Sequence, residues 1–340
     1  MVWSQRGVLP MSAFWYTWRR EIIRGAVLFV GVIAAGLFVR HMVARVRTGV
    51  AAHLPVVLRD LGDLKALENL QGHMDMGSHE GSRTTAETWT HHAQVAPGQW
   101  VWIRNTNGSL KVEGSTGDSV IVTAVKSYRR SDPATVRIET VTSKEGVAIC
   151  ALWTSGSGGC APGGRFKPSS LRGNDVAVDF TVRLPRRVRL GATTVNGAVR
   201  IAGVSAPLAV ATVNGEVDVE TSAGPVSAVS VNGSVRALMQ SFGDTGEVSV
   251  FTVNGSATAE LPAQLDAEVE ATTVNGSIRT DYPLATSGKV GKRLRGTLGA
   301  GGRKVHITTV NGSITVLKAA RRDSGSAPPR RGRTGPRSAS

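Results

Sequence analysis

The residues able to do chemistry are few and scattered. His73, Asp75, His79 and Glu80 lie within "GHMDMGSHEGS", with His91 and His92 shortly after. Imidazoles and carboxylates of this kind ligate divalent metals when an element holds them at a fixed geometry. Here the segment is polar and rich in Gly and Ser, without helical or strand spacing, so residues 71–94 read as a solvated linker. Cys150 and Cys160 bracket "ALWTSGSGG". A metal or redox pair needs closer spacing or neighbouring ligands. In an exported protein the two read as a local disulfide, with two free thiols as the alternative. "GTLGAGG", Gly296–Gly302, lacks the lysine and the following helix of a phosphate loop and reads as a turn. Residues 95–317 hold a single histidine, His306, and no Ser or Thr there has a base close by in sequence. No catalytic residue, cofactor or metal is therefore expected, and an enzyme whose site assembles only in space is the minor alternative.

What does recur is architecture. Asn-Gly returns at Asn196-Gly197, Asn214-Gly215, Asn232-Gly233, Asn254-Gly255, Asn275-Gly276 and Asn311-Gly312, with an outlying copy at Asn107-Gly108. From Asn196 the spacings are 18, 18, 22, 21 and 36. The last is twice 18, which predicts a coil without its signature near Leu298. Self-similarity at a fixed period marks units that bury their apolar faces only by stacking.

Asn-Gly is also the strongest two-residue hairpin signal. Yet each unit carries a further strand-like piece, such as "APLAVATV" or "GPVSAVSV", which favours a solenoid with parallel neighbours about 4.8 Å apart. In that reading Asn and Gly occupy a corner. Asn tolerates left-handed dihedrals, Gly tolerates nearly any, and stacked Asn side chains can hydrogen-bond between coils. A period of two puts Val274, Gly276 and Ile278 on one face and Thr273, Asn275, Ser277 and Arg279 on the other. It likewise separates Val213, Gly215, Val217 and Val219 from Thr212, Asn214, Glu216 and Asp218. The expected outer face thus carries columns of Thr, Asn and Ser, suited to glycan, cell-wall or protein surfaces.

Upstream, "IIRGAVLFVGVIAAGLFV", residues 22–39, has only Arg24 charged and follows Trp15, Tyr16 and Trp18. It reads as a transmembrane signal anchor behind a basic, aromatic flank, residues 1–21. Arginines on both sides leave the orientation open. The β-repeats and the cysteine pair favour a repeat domain outside the cytoplasm of a bacterial cell, held by a single pass. Between Val43 and Leu70 apolar residues recur every three or four positions, which predicts an amphipathic helical stalk over 40–70. It lies on its own domain or the membrane, or pairs with a second copy through residues 43–70.

The net charge of +15 raises the question of nucleic acid. Residues 1–50 hold seven Arg against Glu21, and residues 318–340 hold seven Lys or Arg against Asp323. The repeat region is close to balanced, so no specific nucleic-acid binding is expected. The Pro/Gly/Ser-rich basic tail, 318–340, is expected to be disordered.

The stretches "VWIRNTNGSLKVEGSTGDSVIVTAVKS", "DVAVDFTVRLPRRVRLGATTVNGAVRI" and "LRGTLGAGGRKVHITTVNGSITV" follow one another in an order that resembles the putative-adhesin family of bacterial envelope proteins, a DUF4097-like domain of unknown function. The resemblance covers roughly 95–317. It implies a β-solenoid-like domain, commonly tethered to a membrane, with some relatives in envelope-stress loci, and no catalytic residues. The combined expectation is a mostly β protein: a parallel β-solenoid, β-helix-like repeat domain preceded by one transmembrane helix and a helical stalk. Its expected role is non-enzymatic surface binding, with a structural or regulatory envelope scaffold as the alternative.

Overall fold

A computed structural model of the chain describes residues 83–154, 159–163, 171, 173–242, 246–283 and 292–319. Twenty strands run through the described residues. In chain order they are β1 (Thr84–Gln94), β2 (Trp100–Arg104), β3 (Leu110–Ser115), β4 (Ser119–Tyr128), β5 (Val136–Ser143), β6 (Gly146–Trp153) and β7 (Ala177–Pro185). Then come β8 (Arg189–Thr193), β9 (Val199–Val204), β10 (Leu208–Asn214), β11 (Val217–Thr221), β12 (Val226–Asn232) and β13 (Val235–Met239). The last are β14 (Glu247–Asn254), β15 (Ala257–Leu261), β16 (Ala267–Asn275), β17 (Ile278–Thr280), β18 (Arg293–Leu298), β19 (Arg303–Asn311) and β20 (Ile314–Lys318).

They form two sheets. The first, sheet A, has the order β1-β4-β7-β3-β9-β11-β13-β15-β20-β17, and sheet B the order β18-β16-β19-β14-β12-β10-β8-β2-β6-β5. Each coil gives one strand to each sheet, and its two strands meet at Asn-Gly. The coil from Leu208 to Pro225 is a seven-residue strand, a two-residue corner, a five-residue strand and a four-residue turn, which accounts for the 18-residue period. Equivalent strands of successive coils pair in parallel and in register, for example Val210 with Ala228 and Val219 with Ala237.

Val, Ala, Ile and Leu fill the space between the sheets, with Val210, Val219, Val250, Ile307 and Val316 all fully buried. Short β-branched side chains suit this thin interior, because they are stiff at χ1 and pack on a pleated surface. The first coils carry the large buried side chains Phe180, Leu184 and Trp153.

Four expectations are corrected here. The fold contains no α-helix among the described residues, only a single 3-10 turn at Pro133–Thr135, and no described helix is long and apolar enough to cross a membrane. The fold class is therefore all-β over the described chain; the transmembrane helix expected at 22–39 and the stalk at 40–70 lie outside the described residues. Second, the polar stretch assigned to the linker 71–94 ends in a strand: β1 pairs antiparallel with β4 along Thr84 to Gln94. Its alternation, with Trp89, His91 and Ala93 opposite the inward-facing Ala124, Val122 and Val120, was hidden by polar residue types.

Third, the solenoid is not parallel throughout. β1-β4-β7 and β5-β6 pair antiparallel at one end and β16-β18 at the other. Fourth, the segment near Leu298 is not a coil that has lost its signature but the single antiparallel strand β18. β18 turns back along β16, and the chain then places its last coil, β19 and β20, between the coil of β14 and β15 and the coil of β16 and β17.

Candidate binding surface

The repeated corner is the feature that fixes the surface. Asn side chains form a ladder in which each amide donates to the next carbonyl oxygen. Asn214 Nδ2 donates to Asn196 Oδ1, Asn232 to Asn214, Asn254 to Asn232, Asn311 to Asn254 and Asn275 to Asn311, each at 2.8 Å. Asn107 joins through a backbone bridge to Asn196, while its side chain donates to the Val176 carbonyl at 3.0 Å.

Two residues before each Asn, a hydroxyl donates to the Gly carbonyl of the neighbouring coil. Thr194 reaches Gly108 at 3.0 Å, Thr212 Gly197 at 2.9 Å, Ser230 Gly215 at 2.9 Å, Thr252 Gly233 at 2.8 Å, Thr309 Gly255 at 2.9 Å and Thr273 Gly312 at 2.9 Å. These hydroxyl side chains are buried, so each needs such a partner.

The glycines are required by proximity. A Cβ on Gly215, Gly233, Gly276 or Gly312 would lie 2.5 or 2.6 Å from the neighbouring Gly carbonyl carbon and closer still to its oxygen. Gly197 and Gly255 meet the same obstacle, and Gly108 meets the Val178 backbone instead. The expected left-handed Asn is corrected: no described non-Gly residue has a positive φ.

The corner also changes which residues face inward. Leu208, Val210 and Thr212 point into the core before it, and Val217, Val219 and Thr221 after it. A period of two carried across Asn-Gly inverts this, so the Thr column sits inside and the Val column outside. Val213 is buried, Val231, Val253 and Val310 are half-buried, and Val274 on β16, in the outermost coil of the stack, is 50% exposed. The hydroxyl column two places before each Asn therefore does not face a ligand, whereas Ser234, Ser256, Ser277 and Ser313 after the corner stay at the surface.

The two outer faces differ in chemistry. On sheet A, Arg236 bridges Asp218 (3.1 Å) and Glu260 (2.8 Å) across three coils, and Lys111 pairs with Glu113 at 2.7 Å. Partial burial works against the Arg236 charge, but the hydrogen bonds it donates to Glu260 and Asp218 outweigh it and hold the guanidinium above its usual range. Sheet B carries Ala209, Ala211 and Val229 in one apolar cluster with Trp100 and Phe251.

Beyond these, toward the last coils, sheet B becomes charged. Glu270 accepts from Arg293 (3.4 Å) and Arg295 (3.3 Å), and His306 stands 3.5 Å from Glu247 and 3.8 Å from Glu270. Burial pushes the Glu247 carboxyl up, opposed by the neighbouring His306 and Lys304. At the opposite end, a shallow basin of about 620 Å³ lies between loops carrying Gln94, Asp118, Arg186 and Arg187.

The remaining sequence candidates fall as follows. Cys150 and Cys160 are joined in a disulfide, and the loop it fastens supplies the Ala161 carbonyl to the buried Arg104 Nη1 at 2.7 Å. His91 stacks on Trp89 at 5.5 Å, and His92 lies on the opposite side of β1. His73, Asp75, His79 and Glu80 lie outside the described residues. No group of three or more metal-ligating side chains converges among the described residues. In "GTLGAGG", the Ala300 N–H donates to the Asp266 carboxylate at 2.8 Å, so the glycine turn is closed by the chain's own anion. The exposed valine column was missed in sequence, although the Thr two places before each Asn held the signal that the parity changes.

Residues 177–317 match the Toastrack DUF4097 family. No curated protein matches the chain in sequence. Among solved structures, the chain is similar to a putative cell adhesion protein from Clostridium sporogenes, 12% identical over 68% of this chain and 100% of that one, with a TM-score of 0.38. It is also similar to a putative adhesin from Bacteroides fragilis, 11% identical over 68% of this chain and 97% of that one, with a TM-score of 0.30.

Proposed function

We propose that this chain, whose residues 177–317 match the Toastrack DUF4097 family, is a non-enzymatic surface-binding protein whose solenoid presents a fixed outer face to an envelope or cell-surface partner. The observation that carries this reading is the outward valine column on sheet B, ending in the half-exposed Val274. Its members repeat at strand spacing, about 4.8 Å, on a backbone locked by the Asn ladder, so the face is pre-organised and loses little entropy on binding. Such a column suits a protein surface or the apolar faces of sugar rings in glycan or cell wall. The Cys150–Cys160 disulfide supports placement outside the cytoplasm, where such bonds persist.

The test is a binding screen of the full chain against glycans, peptidoglycan and envelope proteins, repeated with Val274→Asp and Val310→Asp. Both side chains point away from the core, so folding is expected to survive. At least tenfold weaker binding by either variant supports the reading. Binding that is unchanged in both variants overturns it for this face.

A further inference from the structure

The last coil of the chain is a wedge. Residues 303–318 enter between two coils that precede them in sequence, and they hydrogen-bond on both sides in both sheets. Asn311 correspondingly takes the middle place in the ladder, donating to Asn254 and accepting from Asn275. The slot it fills is general in kind: it offers the Gly255 carbonyl to an incoming Thr, the Thr273 hydroxyl to an incoming Gly carbonyl and an Asn amide on either side. What fits is any segment with the pattern Thr-x-Asn-Gly-Ser-Ile.

Three features make the wedge separable from the rest of its own chain. It holds the last two described strands, so no described strand follows it in the chain. It is joined to β18 by the turn Gly299–Gly302, three of whose residues, Gly299, Gly301 and Gly302, are glycines at φ 54°, 77° and 94°, where the backbone is least restricted. Its core contacts, through Val305, Ile307, Ile314 and Val316, are made with other coils across the slot.

We propose that residues 303–318 act as an exchangeable closing coil, and that two copies of this chain dimerise by inserting their closing coils into each other's slot. The same contacts form in monomer and dimer, so concentration decides between them. Because the wedge is hydrogen-bonded to a coil on each side in both sheets, exchange occurs during folding and not between native molecules.

The structure supplies the probe. Thr258 and Thr315 are directly opposite on β15 and β20 and half-exposed on the outer face of sheet A. Neighbouring strands lie about 4.8 Å apart, within the Cα separation a disulfide spans. The described cysteines are already paired, so introduced thiols react alone. Full-length T258C and T315C are mixed, either native or after joint unfolding and refolding, then oxidised. T258C/T315C in one chain, which forms the bond internally, sets the yardstick for native closure. T315C mixed with T123C, on the outer face of β4, measures random collision.

The expected result is a covalent T258C–T315C heterodimer after joint refolding. Its ratio to monomer should rise about tenfold for a tenfold higher concentration, with none from native mixing. A refolded heterodimer yield no greater than that of the T123C control, while the double variant closes normally, overturns the proposal.

Discussion

Gly233→Ala puts the reason for the Asn-Gly repeat to the test. The added methyl would lie 2.5 Å from the Gly215 carbonyl carbon, where ordinary contact begins near 3.4 Å, so the two coils must part by roughly 1 Å. That opening acts on the bonds spanning the same corner: Ser230 Oγ to the Gly215 carbonyl at 2.9 Å, Asn232 Nδ2 to Asn214 Oδ1 at 2.8 Å, and Gly215 N–H to the Asn232 carbonyl at 3.1 Å. At about 1 kcal/mol net for each, their loss costs about 3 kcal/mol. The stiffer unfolded chain returns about 0.4–1 kcal/mol, leaving a net destabilisation of about 2–3 kcal/mol. Urea unfolding followed by circular dichroism measures it. Gly98→Ala provides the contrast: Gly98 has φ 84° with open space around its missing Cβ, so only the left-handed backbone is penalised, by about 1–2 kcal/mol. If Gly233→Ala proves no more destabilising than Gly98→Ala, close coil approach is not why glycine recurs.

Position along the ladder sets the cost of losing an Asn. Asn232→Ala removes two side-chain bonds and is expected to cost about 1–2 kcal/mol, while Asn275→Ala at the end removes one and costs about half as much, both read from urea midpoints. Glu247→Gln should raise stability at neutral pH by less than about 1 kcal/mol, since the site is half-buried and partly screened. The folded-state pKa of Glu247 is raised, so the native protein gains from its protonation below the unfolded value and loses that gain as pH rises through the folded one. The advantage of the variant should therefore vanish on acidification, as thermal melts at several pH values would show. Reducing Cys150–Cys160, which closes a short loop of sequence separation 10, should lower stability by about 2–3 kcal/mol, measured as a fall in Tm with added reductant.

The sequence disclosed the repeat because a backbone that approaches itself closely at one corner admits Gly and little else there. It disclosed parallel stacking through the second apolar piece between signatures, such as Leu208 to Val213. Side-chain direction was less legible, because the parity of a strand pattern holds only within a strand and Asn-Gly interrupts it. Thr212 and Val213 were thus assigned to the wrong sides. Coil order was hidden altogether: the segments around Asn275 and Asn311 share "TTVNGSI", so local chemistry does not say which of them stacks on Asn254. β1 is poorly legible because Glu, His and Gln interrupt its apolar alternation, and its pairing depends on β4 many residues away.

Coil order is also where the account is most directly open to measurement. Val253, Val310 and Val274 occupy equivalent outward positions on β14, β19 and β16, with Val310 in the middle. Oxidation of V253C/V310C in the full chain should therefore form a disulfide across one strand spacing, about 4.8 Å, whereas V253C/V274C, two spacings or about 9.6 Å apart, should not. A bond between positions 253 and 274, with none between 253 and 310, would mean that the coils stack in the order of the chain.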